Sequence, residues 1–351
     1  MTERSLGRVC IVMLTAVGDA VHVLPVVNSI RRHAPGTHLT WVLQPGPAAL
    51  VRGHPAVDEI VVFERRRGLR GFLQLRRALA HRRFDRVLLL QPYLKAAVIA
   101  GMARAPEKWG LDRARARDLS WLFTNRALPP RPPQHVQDQF LEFLDALGIP
   151  RVLSWEGLEP TAAERAAYAG ILPPSDRPTV ALVVGTSKPE KEWPAERYAA
   201  AADRLAEELG ARTVLVGGRS PRELAARDTI LRLAQHPPLD ALEWDLRRLV
   251  YLIDRADVLV SPDTGPLHVG VALGTPTVAL MGYTNPRRYG PYRRFRELLV
   301  DAFGDPGEDY PLTARHRPGR MERITVEEVV EKVRLALARY GVGSASSGAD
   351  S

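Results

Sequence analysis

The segment from residue 258 to residue 292, VLVSPDTGPLHVGVALGTPTVALMGYTNPRRYGPY, constrains the fold more than any other part of the chain. Val258–Val260 and Thr277–Met281 are short apolar runs, as expected of buried parallel strands. Between them, Ser261–Gly265 favour a tight turn, and Pro266 suits the first position of a helix. The helix is expected to run to about Leu273, so the segment predicts a strand, loop, helix and strand of an open α/β sheet.

The loop between this strand and this helix is a candidate ligand site. Ligands of open α/β folds bind at the carboxyl edge of the sheet, and a helix N-terminus there favours an anion such as phosphate. Asp263 and Thr264 are placed to bind sugar hydroxyls or phosphates, Gly265 opens the helix, and His268 lies in its first turn. An N-cap turn with a buried core histidine fits the same residues, so both interpretations stay open.

Composition sets broad limits on the class of protein. The chain has 351 residues and is 45% hydrophobic and 25% charged, which is typical of a globular protein with two ordinary domains. The single cysteine, Cys10, excludes a disulfide framework and a cysteine-based zinc site, and it suits a reducing compartment.

The charge balance is strongly basic, at +9, and only five of the 49 basic residues are lysine. Such a surface suits an anionic substrate or membrane face, whereas no zinc-finger or RNA-recognition signature favours nucleic acid. No apolar run reaches the roughly 18 residues of a spanning helix. Val9–Val17 resembles a signal sequence, but the strand, glycine turn and helix pattern continues through Asp19 and His22. We therefore expect a cytoplasmic protein, peripheral at the inner face of the cytoplasmic membrane.

The first half of the chain alternates short strands with helices, which predicts a doubly wound parallel sheet. It lacks the G-x-G-x-x-G of a dinucleotide domain after the strand Val9–Leu14. Gly18 and Asp19 stand there instead, and Asp19 either caps the following helix or acts as a general base. Arg65–Arg67 follow the strand Ile60–Phe63, so Arg66 and Arg67 are candidate ligands of an anionic acceptor, or else a solvated surface.

A proline-rich stretch at residues 150–178 predicts the linker between domains. We place the boundary near residue 175, which gives an N-terminal domain at 1–175 and a C-terminal domain at 176–340. Residues 341–351 have the composition of a disordered tail.

The second half opens with the strand Thr179–Val184, which Thr186, Ser187 and Lys191 follow. A lysine beside a helix start after a strand is well placed for phosphate, although a plain surface loop is the simpler interpretation. Glu223 opens the helix after the next strand. The Walker A spacing is absent, and no D-x-D occurs in the chain, so we expect catalysis without a metal or another cofactor.

Several of these motifs together resemble glycosyltransferase family 9, the lipopolysaccharide heptosyltransferases. The resemblance rests on D-T-G-x-x-H from Asp263, then A-L-G-T-P-T-V-A-L-x-G, T-x-P and G-P-Y up to Tyr292. The segment around Gly18-Asp19 and the K-x-W-P segment from Lys191 are also similar. Met13 stands where the family often has arginine, which removes a charge near the first loop.

The resemblance implies a GT-B-type fold, two Rossmann-like doubly wound domains facing a cleft. The N-terminal domain would bind an anionic glycolipid acceptor, and the C-terminal domain a nucleotide-sugar donor. The implied reaction is inverting transfer of a heptose from ADP-heptose to a lipopolysaccharide core, with Asp19 as the base. The implied donor-binding residues are Thr186, Ser187, Lys191, Glu223, Asp263, Thr264, Gly265 and His268.

Other classes of protein stay open at this point. A sugar-nucleotide epimerase has the same architecture but needs no lipid acceptor. A non-catalytic nucleotide-binding protein would tolerate the loss of Asp19. The missing glycine fingerprint disfavours a dehydrogenase.

Overall fold

The computed structural model describes residues 4–341, and the predicted tail at 341–351 lies outside that range except for Gly341. The chain divides into two compact units, Met1–Leu158 and Glu159–Ser351. This division falls inside the predicted linker at 150–178, but before the boundary expected near residue 175.

The first unit is a six-stranded parallel sheet with helices between its strands. Its described strands are β1 (Arg8–Val12), β2 (His38–Leu43), β3 (Glu59–Val62), β4 (Arg86–Leu89), β5 (Glu107–Gly110) and β6 (Arg126–Ala127). Its described helices are α1 (Val17–His33), α2 (Pro45–Val51), α3 (Gly68–Ala80), α4 (Leu94–Met102) and α5 (Val136–Ala146). The strand order is β3-β2-β1-β4-β5-β6, so the winding reverses direction between β1 and β4.

The second unit repeats this plan from residue 159 onward. Its described strands are β7 (Thr179–Val183), β8 (Arg212–Val216), β9 (Leu239–Asp240), β10 (Val258–Pro262), β11 (Thr277–Met281) and β12 (Val300–Asp301). Its described helices are α6 (Ala162–Tyr168), α7 (Ala195–Leu209), α8 (Pro221–Leu233), α9 (Leu246–Arg255), α10 (Gly265–Leu273), α11 (Pro286–Tyr289) and α12 (Val326–Tyr340). The parallel order is β12-β11-β10-β7-β8-β9, with its reversal between β10 and β7.

The central segment of the sequence analysis folds as predicted. β10 and β11 are completely buried neighbours, and α10 connects them. Gly274 ends α10 with a φ of 82°, a left-handed conformation that glycine adopts without steric cost. The apolar runs became strands because β10 and β11 lie in the interior of the sheet, where all of their residues are buried.

The position of α6 explains where the two units divide. Glu164 of α6 accepts hydrogen bonds from the Arg247 side chain of α9 at 2.7 and 2.8 Å. Tyr168 of α6 donates a hydrogen bond to Asp245, the N-cap residue of α9, at 2.5 Å. These contacts join α6 to the second unit, although proline-rich composition had suggested a boundary after it.

Candidate active site

The carboxyl edge of the second sheet brings two loops together at the reversal of strand order. β7 and β10 are adjacent strands there, and the chain leaves them in opposite directions across the sheet. Ligands of open α/β sheets bind at this topological switch point. The loop after β7 carries Thr186, Ser187 and Lys191, and the loop after β10 carries Asp263 and Thr264.

Asp263 is buried directly after β10, and three side chains from other segments surround it. The Lys191 ammonium donates hydrogen bonds to Asp263 Oδ2 at 2.6 Å and to its backbone carbonyl at 3.2 Å. The Thr284 hydroxyl, just past β11, donates to the same Oδ2 at 2.6 Å. The His268 ring places Nε2 3.8 Å from Asp263 Oδ1. Four predicted or motif residues thus form one cluster at the edge of the sheet.

This cluster keeps Asp263 negatively charged. Burial alone would raise the pKa of the carboxyl group, but the His268 ring and the Lys191 ammonium outweigh burial and hold that pKa well below its usual range. An ammonium has three N–H donors, and Asp263 accepts from Lys191 at two of its oxygens. The lysine is therefore held in place through two of its three donors.

The start of α10 does not have the simple capping arrangement. Thr264 is the N-cap residue, yet its side chain makes no capping hydrogen bond, and the Asp263 carboxylate is held by Lys191 instead. Thr264 and Gly265 are half-buried, while His268 is buried one turn into the helix. The dipole at the start of this nine-residue helix is directed at the same edge as the lysine.

The loop after β7 is more exposed than the Asp263 cluster. The Thr186 hydroxyl donates to the Lys188 carbonyl at 2.6 Å, and Ser187 is exposed. Lys188 places its ammonium 5.5 Å from the centre of the Tyr283 ring, within reach of a cation–π contact. Lys191 itself ends a short 3-10 helix, and 15% of its side chain is exposed.

Glu223 takes a structural position that the sequence analysis did not predict. Its carboxylate accepts hydrogen bonds from the backbone of Gly218 at 2.7 Å and of Ser220 at 2.9 Å, in a capping box at the start of α8. The carboxylate also lies against Gly185 in the loop after β7, where a Cβ would overlap it. Glycine is needed at position 185 for this close approach.

In the first unit, Asp19 lies at the corresponding switch point. It is the third residue of α1, is partly exposed, and accepts a hydrogen bond from the Ala16 backbone at 2.9 Å. Gln91, buried just after β4, accepts from the Leu14 backbone at 2.8 Å and donates to the Thr15 carbonyl. The loop that carries Asp19 is therefore tied to both central strands of the sheet.

Arg66 and Arg67 are exposed on a 3-10 helix, Arg65–Arg67, that follows β3. Arg67 donates a hydrogen bond to Gln74 at 3.3 Å. Both arginines thus lie near the carboxyl edge of the first sheet, as the position of the strand predicts.

Two residues were missed by the sequence analysis. Thr284 was noted only as part of a motif, and Gln91 received no role. Both lie within three residues of the end of a buried strand, at the carboxyl edge, which is the signal that could have found them. Their partners, Asp263 and Thr15, are too distant in sequence for a local pattern to indicate.

Two kinds of feature are absent from the part of the chain that the structure describes. No helix there combines the length and apolar character needed to cross a membrane. No group of three or more histidine, cysteine, aspartate or glutamate side chains is arranged to hold a metal ion there.

Two parallel six-stranded α/β units, each with polar side chains at the switch point of its sheet, define a GT-B-type protein. The sequence profile of glycosyltransferase family 9 (heptosyltransferase) matches residues 72–303, more than half of the chain. The protein therefore belongs to this family and is a glycosyltransferase.

Similarity to individual proteins supports this assignment. The chain is 29% identical over 335 residues to the lipopolysaccharide core heptosyltransferase OpsX of Haemophilus influenzae, covering 93% of this chain and 95% of the relative. A family 9 glycosyltransferase from Veillonella parvula has a crystal structure that superposes with a TM-score of 0.80 at 25% identity, over 96% and 99% of the two chains. The E. coli heptosyltransferase WaaC, solved with ADP-2-deoxy-2-fluoro heptose, gives 0.72 at 25% identity, over 93% and 99%.

Proposed function

We propose that this protein transfers a heptose, or a closely related sugar, from an ADP-sugar to the core of a lipopolysaccharide, with inversion at the anomeric carbon. The relative from Haemophilus influenzae is named a lipopolysaccharide core heptosyltransferase, and the structure of WaaC contains an ADP-heptose analogue. Family membership and the cluster at the second switch point support the same chemistry for this chain.

In this proposal, the donor diphosphate binds at the carboxyl edge of the second sheet. Lys191 contributes the ammonium donor that Asp263 leaves available, and the N-terminus of α10 at Gly265 adds its dipole. Thr186, Ser187 and Thr264 supply hydroxyl groups at the same edge. Asp263, an ionised acceptor, contacts donor hydroxyls, and His268 contacts donor hydroxyls or phosphates. The remaining predicted donor residue, Glu223, supports this edge through its contact with Gly185.

The transfer step uses Asp19 as the general base. Asp19 accepts the proton of an acceptor hydroxyl while the oxygen of that hydroxyl forms a bond to the anomeric carbon of the donor. The bond from that carbon to the diphosphate oxygen breaks, and ADP leaves with the electron pair. Lys191 and the α10 N-terminus stabilise the negative charge that develops on the diphosphate. Since the sequence contains no D-x-D, we assign this role to side chains and backbone rather than to a metal.

The acceptor in this proposal is an anionic glycolipid. Arg66 and Arg67 are exposed after β3, and guanidinium groups bind carboxylates and phosphates in a bidentate manner. We place the protein in the cytoplasm, in peripheral contact with the inner face of the cytoplasmic membrane. That location would bring a soluble donor and a lipid-anchored acceptor to one enzyme.

The observation that carries the proposal is the buried Lys191–Asp263 pair at the switch point of the second sheet. It is tested by calorimetric titration of the full chain with ADP, UDP, GDP and NAD in turn. We expect selective binding of ADP and about 10- to 100-fold weaker binding in Lys191→Met, because a charge-assisted hydrogen bond is lost. Transfer from ADP-heptose to a purified lipopolysaccharide core would then be measured directly.

A matched control for this titration is Lys332→Met. Lys332 is also partly buried in the second unit, where it donates to the Glu297 carbonyl at 2.6 Å, but it lies on α12. This variant should bind ADP like the natural protein. An unchanged affinity in Lys191→Met would remove Lys191 from the diphosphate site, and a preference for NAD would overturn the proposed donor.

A further inference from the structure

α3 presents two leucines to solvent at the centre of its outer face. Leu69 is 75% exposed, more than any other large hydrophobic side chain among the described residues, and Leu73, one turn later, is 45% exposed. Positions four apart lie on the same side of a helix. Arg70, Arg76 and Arg77 are also exposed and flank this pair at helical spacing. We refer to these five residues as the α3 face.

The α3 face has positive charge without local compensation. Residues 65–84 contain eight arginines and no aspartate or glutamate. Among the ion pairs of the described residues, none includes Arg70, Arg76 or Arg77. The structural elements packed against α3 are the preceding 3-10 helix, β3 and α4. Two carboxylates belong to these elements or their ends: Glu59 of β3 is paired with Arg82, and Glu64 is the N-cap residue of the 3-10 helix. The face therefore has the positive field of unpaired guanidinium groups.

The helix under this face is held firmly by its opposite side. Leu75 and Leu79 are buried in the core of the first unit, and the Phe72 ring packs edge-on against Phe63 with centres 4.8 Å apart. Gly71 is buried where α3 passes close to the Glu64 carbonyl. The exposed leucines are consequently part of a preformed surface and are not an end of a frayed helix.

The charge of the whole chain is divided unequally between the two units. Residues 1–158 contain 23 arginines and lysines and 13 aspartates and glutamates, a net charge of +10, whereas residues 159–351 contain 26 and 27, a net charge of −1. The entire basic excess thus belongs to the unit that carries the α3 face. The basic residues are similar in number in the two units, so this division arises from the scarcity of acidic residues in the first unit.

We propose that the α3 face docks the protein on an anionic phospholipid bilayer, with Leu69 and Leu73 inserted among the acyl chains and the arginines at the headgroups. An interfacial helix has this pattern, an apolar centre with cations beside it that extend to phosphates. A second copy of this chain would bring like charges together. Binding to nucleic acid would not explain the exposed leucines, and the α3 face has no aromatic side chain on which a base could stack.

The inference rests on one part of the proposed function, namely that the sugar acceptor is anchored in a lipid bilayer. The 3-10 helix with Arg66 and Arg67 directly precedes α3 in the chain. A bilayer held by α3 would therefore present its glycolipid headgroups beside the proposed acceptor arginines. The surface itself can be tested without any sugar substrate.

The test is cosedimentation of the full chain with vesicles of phosphatidylcholine, with or without about one-third phosphatidylglycerol. We expect binding to the anionic vesicles and at least a roughly tenfold weaker partition for Leu69→Gln/Leu73→Gln. The matched control is Leu233→Gln/Leu335→Gln, which changes two exposed leucines on helices of the second unit and should bind normally. Unchanged thermal midpoints would show that both variants are folded.

A second pair of variants tests the charges. One replaces three arginines of the α3 face by glutamine, and the other replaces three exposed arginines of the second unit, so both lose the same charge. The first variant changes Arg70, Arg76 and Arg77 of the α3 face. The second changes Arg232, Arg255 and Arg315 of the second unit. We expect weaker binding to anionic vesicles only for the first set, and binding that weakens as ionic strength rises.

A fluorescent label tests insertion directly. Cys10 is fully buried, and burial raises the pKa of its thiol to about 12, so a maleimide should react with an introduced cysteine instead. A polarity-sensitive dye on Leu69→Cys should shift to the blue with anionic vesicles, and the same dye on Leu233→Cys should not.

Three results would overturn the inference. The first is that the natural chain does not bind anionic vesicles, and the second is that the leucine variant binds them normally. The third is that a DNA duplex displaces the natural chain from the vesicles and that the leucine variant binds this duplex equally well. A failure of the proposed function would give a different result, because the natural chain would then transfer no sugar to a deacylated, water-soluble core acceptor. The leucine variant should retain transfer to that soluble acceptor and lose it only with acceptor embedded in vesicles.

Discussion

Asp19 illustrates how one carboxylate can have a structural contact and a proposed chemical role. Its Oδ2 accepts the Ala16 backbone N–H at 2.9 Å, which fixes the carboxylate at the start of α1. The sequence left helix capping and general base catalysis as alternatives. The geometry shows the capping contact, and a capping contact does not prevent a carboxylate from accepting a proton.

Replacing Asp19 by asparagine separates these two roles. An asparagine side-chain oxygen can still accept from Ala16, but the amide has no basicity at neutral pH. We expect transfer to slow by about 100- to 10,000-fold while ADP affinity and the thermal midpoint stay unchanged. Single-turnover kinetics with saturating donor would measure the effect.

A matched control for Asp19 is Asp118→Asn, which changes an exposed aspartate of the same unit. Normal transfer by Asp19→Asn would show that another group takes the proton. A loss of both transfer and stability would assign Asp19 a structural role alone.

At the scale of elements, α6 shows how a short helix depends on its neighbour. With seven residues, α6 is too short to be stable in isolation, and the bidentate contact between Glu164 and Arg247 holds it on α9. The hydrogen bond from Arg247 lowers the pKa of Glu164 to about 2, despite partial burial. Glu164 also accepts from the Thr161 backbone at 2.8 Å, as the acidic member of a capping box.

Glu164→Gln should weaken the docking of α6 by about 1 kcal/mol at pH 7, because the amide keeps the capping oxygen but loses the charge. The folded pKa lies below the unfolded value of about 4.3, so this contribution is fully present above about pH 4.3. It declines as the pH falls through about 2. Amide hydrogen exchange of α6 at pH 7, and urea unfolding at pH 7 and pH 3, would measure both effects.

The natural control is Glu328→Gln at the start of α12. Thr325 and Glu328 form the same capping box, with a 2.8 Å contact to the Thr325 backbone, but Glu328 takes part in no ion pair among the described residues. Glu328→Gln should lower the free energy of unfolding by less than Glu164→Gln does, and it should not change the amide hydrogen exchange of α6. An equal cost at both sites would mean that Arg247 contributes nothing to docking.

At the scale of the whole molecule, the proposed donor site is contained in one unit. Lys191, Asp263, His268 and Thr284 all belong to residues 159–351, and so does a large hydrophobic core. We expect residues 159–341, expressed alone, to unfold cooperatively and to bind ADP, but to transfer no sugar without Asp19. Circular dichroism and calorimetry would measure these properties.

A shorter fragment, 176–341, begins at the boundary that the sequence suggested. It lacks α6, so Arg247 loses Glu164 and the Tyr251 ring loses Tyr168, whose centre lies 5.7 Å away. It should therefore unfold at a lower temperature than the fragment 159–341. Equal stability of the two fragments would show that α6 adds nothing to the second unit.

Much of the fold could be predicted because its causes are local. Apolar runs such as Val258–Val260 and turn residues such as Gly274 specify strands and helix ends within a few positions. The alternation of these elements then indicates a parallel sheet. Helix α2 was not predicted because its sequence is proline-rich. Strand β5 was not predicted because it forms by pairing with β4, which no local pattern indicates.

For this protein, the sequence alone determined the α/β class and the family, and it predicted the loops that carry the proposed site. Each of these follows from residues close together in the chain and from the rule that parallel strands meet at one edge. Only the tertiary structure decided that Lys191 is paired with Asp263 across 72 positions, and that α6 packs on α9. It also showed that the Glu223 carboxylate lies against Gly185 in the loop after β7. These outcomes depend on distant segments competing for the same hydrogen-bonding groups, and no local pattern contains that information.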